Sequence, residues 1–268
     1  MNTIIEITRD HINFRMQLVK LAKSDIIKQY RGAALGWAWA LIKPATTIFV
    51  FWFAFSVGIR HGNDMDGHPF FIWLIAGFVP WFYMSETITG GAGSIRKYRY
   101  LVKRIKYPVD TIPTFVSMSK LLVNLGLQVI MVAIFLLYGY SVDVYYLQFP
   151  LLILMSFVFF TSWSLFSAML GAMSSDFNNL VKAMVQPLFW LSGILYDVNQ
   201  IPYHWIREAM LYNPVTIIAN GYRNMLVYDK WIWESPAEMR NYCIMLLIMM
   251  VLAIWAYGKL KKEIPDVL

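Results

Sequence analysis

Apolar residues in this chain come in six blocks, each about as long as a helix that crosses a bilayer. The blocks lie near 34–59, 69–91, 111–139, 147–172, 181–198 and 240–258. A helix of about 20 apolar residues spans the hydrocarbon core. The pattern therefore predicts an all-α membrane protein with six transmembrane helices in one domain, 34–268. An even number of spans places both termini on the same side.

The segment 1–33 is too charged to span, but its later part has helical periodicity. Polar residues recur at steps of three and four at Gln17, Lys20, Ser24, Lys28 and Arg31. Apolar residues lie opposite them at Leu18, Ala22 and Ile26. A helix with one cationic and one apolar face lies in the membrane interface, where its lysines meet lipid headgroups. The pattern leaves open whether this helix is only an anchor or also shapes a substrate entrance.

Lysine and arginine in the flanks of the spans indicate the orientation, because basic flanks stay in the cytoplasm. With the termini inside, the flanks 1–33 and 92–110, Lys182 and the tail 259–268 hold 16 basic residues. The outer flanks hold four, at Arg60, Arg207, Arg223 and Lys230. We therefore expect a multi-pass protein of the cell membrane with both termini cytoplasmic.

The stretch before the last span, 199–238, is too polar to cross the membrane and too apolar to lie free in water. Pro202, Pro214 and Pro236 divide it into short pieces. Short helices that dip back into the outer leaflet are tolerated where protein or a watery cavity covers their backbone. The sequence therefore predicts re-entrant helices on the extracellular side.

Composition agrees with a membrane protein and excludes several classes of function. Hydrophobic residues make up 59% of the chain and charged residues 15%, against about 25% charged in soluble domains. The net charge is +7, but the basic residues lie between spans, which argues against nucleic-acid binding. The lone Cys243 excludes a disulfide framework, and the scattered histidines predict no metal site. Gly258-Lys259 lacks the first glycine of a phosphate loop, so we expect no nucleotide or other cofactor in this chain.

Four ionisable residues fall inside the predicted spans, where a charge costs about 2.5–3.5 kcal/mol. They are Lys43, Glu86, Lys120 and Lys182. The lysines lie near the cytoplasmic ends of their spans, so snorkelling to the interface is one interpretation. The other is a cationic vestibule for an anionic headgroup, with Glu86 paired to one of the lysines.

The fifth span carries a stripe that is first polar and then aromatic. Its members recur at helical steps at Lys182, Gln186, Phe189, Gly193 and Tyr196. Aromatic rings bind the apolar faces of sugars by stacking, which favours a path for a sliding glycan. Aromatic residues are also common in interfacial belts, and this alternative stays open.

Several motifs follow one another along nearly the whole chain. They are Tyr30-Arg31-Gly32-Ala33-Ala34-Leu35-Gly36-Trp37-Ala38-Trp39 with Pro44, Pro80-Trp81-Phe82-Tyr83, Ser94 through Leu101 to Pro108, Ser192-Gly193-Ile194-Leu195-Tyr196 and Tyr212-Asn213-Pro214. In this order and spacing the chain resembles the membrane subunit of ABC-type exporters that carry polysaccharides and teichoic acids out of bacteria. Gly58-Ile59-Arg60, Tyr222-Arg223 and Trp231 look most similar to the wall teichoic acid export permeases. Tyr107 departs from the family, which usually has Phe before this proline.

The resemblance implies a working unit of two copies of this chain and two ATP-binding cassette subunits. ATP and Mg²⁺ would be bound by those partners, so no catalytic residue is expected here. It also implies that residues 95–107 of the loop 92–110 include a coupling helix that docks on the ATPase. The residues expected to dock are Arg96, Tyr98, Arg99, Tyr100, Lys103 and Arg104. The alternative is that the positive charges only keep this loop in the cytoplasm, which would not require the interleaved tyrosines.

These observations together predict the permease of an ATP-driven exporter in the bacterial cell membrane, with a lipid-linked, anionic, teichoic acid-like glycopolymer as cargo. We expect Arg31, Lys43 and Lys182 to receive the phosphate-bearing end. Residues expected to line or gate the path are Trp37, Trp52, Phe189 and Tyr196. The first alternative is a capsule or O-antigen exporter permease, and the second is an integral-membrane transferase acting on lipid-linked sugars. A proton-driven carrier is disfavoured because the spans hold a single acid.

Overall fold

The computed structural model describes residues 2–59, 64–105 and 107–268, in which every regular element is helical. The α-helices are α1 Asn2–Asn13, α2 Arg15–Tyr30, α3 Trp39–Phe53, α4 Phe70–Ala92, α5 Ser94–Lys97, α6 Arg99–Ile105, α7 Thr111–Leu137, α8 Phe149–Met173, α9 Ser175–Trp190, α10 His204–Met210, α11 Pro214–Leu226, α12 Pro236–Leu260 and α13 Ile264–Val267. The predicted flank residues Arg60 and Lys106 lie outside the described residues.

Five helical segments of the described chain are long and apolar enough to cross a membrane. They are Gly36–Gly58, Phe70–Ala92, Thr111–Leu137, Val144–Met173 and Pro236–Leu260. Each matches one of the predicted spans to within a few residues. The all-α class is therefore confirmed, whereas the count of six is not.

The difference lies in the predicted fifth span, 181–198, which α9 covers only in part. Its 16 residues rise about 24 Å, less than the hydrocarbon thickness of about 30 Å. The helix begins early because the Ser174 hydroxyl accepts the Asp176 backbone N–H at 3.2 Å. It ends early as the chain turns at Gly193, whose φ of +62° is rare for L-residues. Residues 191–197 continue as turns rather than as a helix.

These turns are buried, and a buried arginine satisfies their backbone. Ser192, Ile194 and Leu195 are almost fully buried. From α11, the Arg223 guanidinium donates to the carbonyls of Gly193 at 2.8 Å and Ile194 at 2.7 Å. Non-helical backbone at membrane depth is tolerated only where its polar groups find such partners.

The helix α4 lies at the centre of the bundle. In its apolar window 78% of residues are buried, against 6% in Gly36–Gly58. Small residues let its neighbours approach closely: a Cβ on Gly91 would overlap Ser164 of α8. The bundle is therefore built around α4, and α3 makes few contacts within this chain.

The predicted interfacial helix is two helices, α1 and α2, which meet at Phe14. The Phe14 ring packs edge-on against Tyr107, with centroids 5.3 Å apart. The apolar face Leu18, Ala22 and Ile26 is buried, whereas Lys20 and Lys28 are exposed. These residues follow the two predicted faces of α2, except that the acidic residue Asp25 is buried as well. We call the end of the bundle that holds α1, α2, α5 and α6 the basic end.

Candidate functional site

A cavity of about 260 Å³, which we call the entrance cavity, opens near the basic end, between α2, α3, α4 and α7. Gln29 and Tyr30 at the end of α2 form one wall, and Trp39 and Pro44 of α3 form another. The cavity lies at the junction between the end of α2 and the start of α3. It is lined on one side by the end of α2 and on the other by the helices α4 and α7 of the bundle.

Three charged side chains meet in this cavity, one from each of three helices. Lys120 of α7 lies 3.2 Å from Glu86 of α4, and its ammonium also donates to the Gln29 side-chain carbonyl at 2.6 Å. Lys43 of α3 approaches Glu86 at 4.0 Å. The expected pairing of Glu86 with lysine is confirmed, and it involves two lysines. The cavity keeps one uncompensated positive charge.

The lysines differ in how freely they can meet a ligand. The Lys43 side chain is 72% exposed and that of Lys120 only 13% exposed. Lys120 is fixed by two partners, while Lys43 is held only at the limit of ion-pair distance. An anion that enters the cavity would displace a weak contact of Lys43 and gain a charge-assisted hydrogen bond. The arrangement is suited to a phosphate.

The structure separates the three residues expected to bind the headgroup. Lys43 lines the cavity. Arg31 directly follows Tyr30, which lines the cavity, and is exposed at the end of α2. Lys182 lies on the exposed face of α9 and does not line the cavity. Lys120 is a cavity residue that the expected set lacks, although its place inside a span marked it as unusual.

The residues expected along the path lie on two neighbouring helices and their ends. Phe189 of α9 is buried against Phe51 of α3, with ring centroids 5.2 Å apart. Trp52 is half-buried, and Tyr196 donates to the Trp190 carbonyl at 2.7 Å. Trp37 is exposed and packs on Tyr30. The structure thus brings α3 and α9 together at Phe189, while Trp37 lies apart from that contact.

A buried carboxylate joins α2 to the segment expected to dock on the ATPase. Asp25 is 1% exposed. It accepts hydrogen bonds from Lys97 and Ser119, both at 2.6 Å, and from the Tyr98 hydroxyl. Burial raises the pKa of Asp25, but these three donors outweigh it and hold the pKa below the ordinary 3.8. Sequence analysis missed this residue because a single acid in an amphipathic helix is usually exposed.

Two of the six expected docking residues are turned inward. The Arg96 guanidinium donates to the carbonyls of Gly171 at 2.7 Å and Ala172 at 3.0 Å, at the end of α8. Tyr98 is buried against Asp25 and Phe115. The remaining four are exposed on α6, at Arg99, Tyr100, Lys103 and Arg104. The outward surface of this segment is therefore cationic with one tyrosine.

We expect Asp25→Asn to loosen the joint between α2 and α5. The substitution removes the charge that accepts three hydrogen bonds, so the free energy of unfolding should fall by about 1.5–3 kcal/mol. Since the folded pKa lies below 3.8, the contribution should be complete above about pH 5 and disappear as pH falls below about 4. Unfolding in detergent at a series of pH values measures both effects.

The control for this change is Asp266→Asn, because Asp266 is exposed near the C-terminus. Its unfolding should match that of the unmodified chain at every pH. Equal stability of the Asp25 and Asp266 variants at pH 7 would show that the carboxylate of Asp25 holds nothing in place.

Comparison with known proteins places these features in a family. Residues 16–227 match the family model of the ABC-2 type transporter, which is well over half of the chain. The chain belongs to the ABC-2 type transporter family. The resemblance to exporter permeases is thereby confirmed at the level of the family, and the matched range includes nearly all of α2, the entrance cavity and the segment 95–107.

The chain is also similar to curated O-antigen export permeases. It is 25% identical over 222 residues to the O-antigen export system permease protein RfbA of Myxococcus xanthus, covering 82% of this chain and 84% of the relative. It is 23% identical over 255 residues to the protein of the same name from Klebsiella pneumoniae, covering 94% of each. Both alignments run through most of the two chains.

Membership in the ABC-2 family makes this chain the membrane component of a transporter rather than an enzyme. With five helices of transmembrane length in its described part, it is a multi-pass membrane protein. The entrance cavity and the exposed surface of α6 are accordingly features of a transport subunit.

Proposed function

We propose that this chain is the permease subunit of an ATP-driven exporter that moves a lipid-linked polysaccharide of the O-antigen kind out of the bacterial cytoplasm. The observation that carries the proposal is the cavity between α2 and α3, in which Lys43 and Lys120 share the single acid Glu86. Lipid-linked glycans carry phosphate next to the lipid. A cationic cavity at the membrane interface suits that phosphate, and the open side of α3 suits the lipid chain.

The nature of the glycan distinguishes this proposal from the expectation of a teichoic acid. The relatives in the comparison are O-antigen permeases by name, which supports the first alternative from the sequence. The cavity does not require an anionic polymer, because its one net positive charge matches the lipid phosphate alone. A teichoic acid cargo is supported only by short sequence motifs.

The assembly that we propose contains two copies of this chain and two ATP-binding cassette subunits. In the single chain, only 6% of the residues in the apolar window of Gly36–Gly58 are buried, and Lys182 and Gln186 of α9 are exposed. Polar residues facing lipid are costly, so these side chains belong toward a partner or a water-filled path. A second copy at α3 and α9 would enclose such a path beside Trp52 and Tyr196, whereas Phe189 is buried within the single chain.

The orientation that we propose puts the basic end, and with it both termini, in the cytoplasm. Arg99, Tyr100, Lys103 and Arg104 would then dock on the ATPase, which binds ATP and Mg²⁺. The short helices α10 and α11 would lie at the outer face as re-entrant elements. Asp25 would transmit movement from the docked segment to α2 beside the entrance cavity.

Purification of the tagged chain from its native host in mild detergent tests the proposal. We expect an ATP-binding cassette protein in equal molar amount, quantified by mass spectrometry. Charge reversal on the docking face, Lys103→Glu with Arg104→Glu, should release it. The same reversal at the exposed tail residue Lys262 should not.

Recovery of the chain alone under several mild conditions would overturn the proposal. Conversion of a lipid-linked sugar by the purified chain without any ATPase would do so too, in favour of a transferase.

A further inference from the structure

A second polar cavity lies at the opposite end of the bundle from the entrance. It measures about 280 Å³ and is bounded by the start of α4, the turns after α9, the helix α11 and the start of α12. Trp73 in this cavity and Glu86 in the entrance lie on the same helix, 13 residues or about 20 Å apart. In the proposed orientation this outer cavity faces the exterior, where a glycan leaves.

Carboxylates dominate the charge of the outer cavity. Asp66, Asp197 and Glu238 line it together with two cations, Arg223 and Lys230. The guanidinium of Arg223 lies over the Trp73 ring and uses three of its five N–H donors on backbone carbonyls, so it is largely occupied within the chain. None of the three acids forms an ion pair in the described part of the chain. One oxygen of each carboxylate already accepts a hydrogen bond within the chain, and the second oxygen of each is an acceptor available to a ligand.

Amide and aromatic side chains complete the lining. Asn220 donates to Glu238 at 3.1 Å, and the Trp73 indole donates to the Tyr228 hydroxyl at 3.0 Å. Tyr228 in turn donates to Asp66 at 3.0 Å. Burial, together with the Asp66 carboxylate, raises the pKa of Tyr228 to about 12, so the hydroxyl stays protonated. The cavity thus joins carboxylates, amides and two aromatic rings.

This combination does not suit a metal ion or a phosphate. Among the described residues, no three acidic, histidine or cysteine side chains are close enough to hold a metal. Three carboxylates against two cations leave the cavity net negative, which opposes a phosphate. Spaced acceptors with amide donors match the hydroxyls of a sugar ring, and a volume just below the usual range of about 300–1,000 Å³ suits a small ligand.

We propose that the outer cavity is a binding subsite for an uncharged sugar unit of the exported glycan. Sugar hydroxyls donate to Asp66 and Glu238, and the subsite disfavours repeat units that carry phosphate. This inference rests on the proposed function and adds to it that the repeat units of the glycan are uncharged. It also places a glycan contact on the outer side, beyond the path between α3 and α9.

Saturation-transfer difference NMR on the full chain in nanodiscs tests this subsite. The neutral probes are the methyl glycosides of mannose, galactose, rhamnose and N-acetylglucosamine, and the anionic probe is glycerol 1-phosphate. We expect saturation of at least one glycoside and none of the phosphate. Glu238→Gln and Asp66→Asn, on separate elements, should each weaken glycoside binding about tenfold.

The matched control is Glu208→Gln, because Glu208 is exposed on α10 and does not line the cavity. Its binding should equal that of the unmodified chain. Asp66 precedes α4 and is exposed, so Asp66→Asn stays informative if Glu238→Gln unfolds.

The inference is overturned if no glycoside is saturated, or if both variants leave the saturation intact. Preferred binding of glycerol 1-phosphate would overturn it as well and favour a phosphate-bearing polymer. The proposed function is judged separately, since co-purification of the ATPase does not depend on this cavity. An ATPase recovered in equal amount without glycoside binding would refute the subsite alone.

Discussion

Replacing Arg223 with methionine is expected to destabilise the chain more than any other single change described above. Methionine keeps most of the length of the side chain but donates no hydrogen bond. The buried carbonyls of Gly193 and Ile194 would lose their donors, and each orphaned carbonyl costs about 1–3 kcal/mol. The free energy of unfolding should therefore fall by about 2–6 kcal/mol. Thermal unfolding of the purified chain in detergent measures the change.

Lysine should not rescue this position. The guanidinium presents its donors as a planar fork to two carbonyls at once, whereas an ammonium is a point charge. Arg15→Met is the control, since Arg15 is exposed on α2, and it should change stability by no more than about 0.5 kcal/mol. An Arg223→Lys variant as stable as the unmodified chain would show that charge alone, rather than the fork, holds the turns.

Neutralising both lysines of the entrance cavity is expected to have the largest effect on transport. Lys43→Gln with Lys120→Gln leaves Glu86 alone, so the cavity changes from net positive to net negative. Each lost charge-assisted hydrogen bond to phosphate is worth about 1.5–3 kcal/mol, or at least tenfold in affinity. Stimulation of ATP hydrolysis by lipid-linked polysaccharide from the host should then require at least tenfold more polymer.

Two further variants make this result specific. Glu86→Gln removes the competing acid and should lower the polymer concentration needed for stimulation. Lys182→Gln alters an exposed lysine outside the cavity and tests that residue apart from the two lysines of the cavity. Loss of stimulation in Lys182→Gln together with full stimulation in the double variant would place the headgroup at α9 instead.

The sequence predicts the long helices well, because an apolar run of about 20 residues has few alternatives to a membrane span. The pairing of Glu86 follows from the same physics, since an acid inside a span needs a partner. The limits of α9 are predicted wrongly. Its first residues are polar and give no apolar signal, and the helix stops before the apolar block does.

The buried charges are the part that the sequence does not reveal. Asp25 and Arg223 occur in segments where charged residues are usually exposed. Their burial depends on Lys97, 72 residues further along the chain, and on Trp73, 150 residues before Arg223. No local pattern reports such contacts, so hydrophobic periodicity cannot identify them. The outer cavity is missed for the same reason, because its acids come from distant segments.

The contact between Trp73 and Arg223 also sets an order of events during synthesis. The two residues are 150 positions apart, and ribosomes add about 5–20 residues per second, so Trp73 emerges about 8–30 s before its partner. The helix α4 is therefore made before its partner Arg223 is available. Residues 191–197 cannot settle until α11 has been made, because their carbonyls have no donor before then. These turns are therefore completed only after α11 has been made, and a chain interrupted between α9 and α11 leaves their backbone carbonyls without donors.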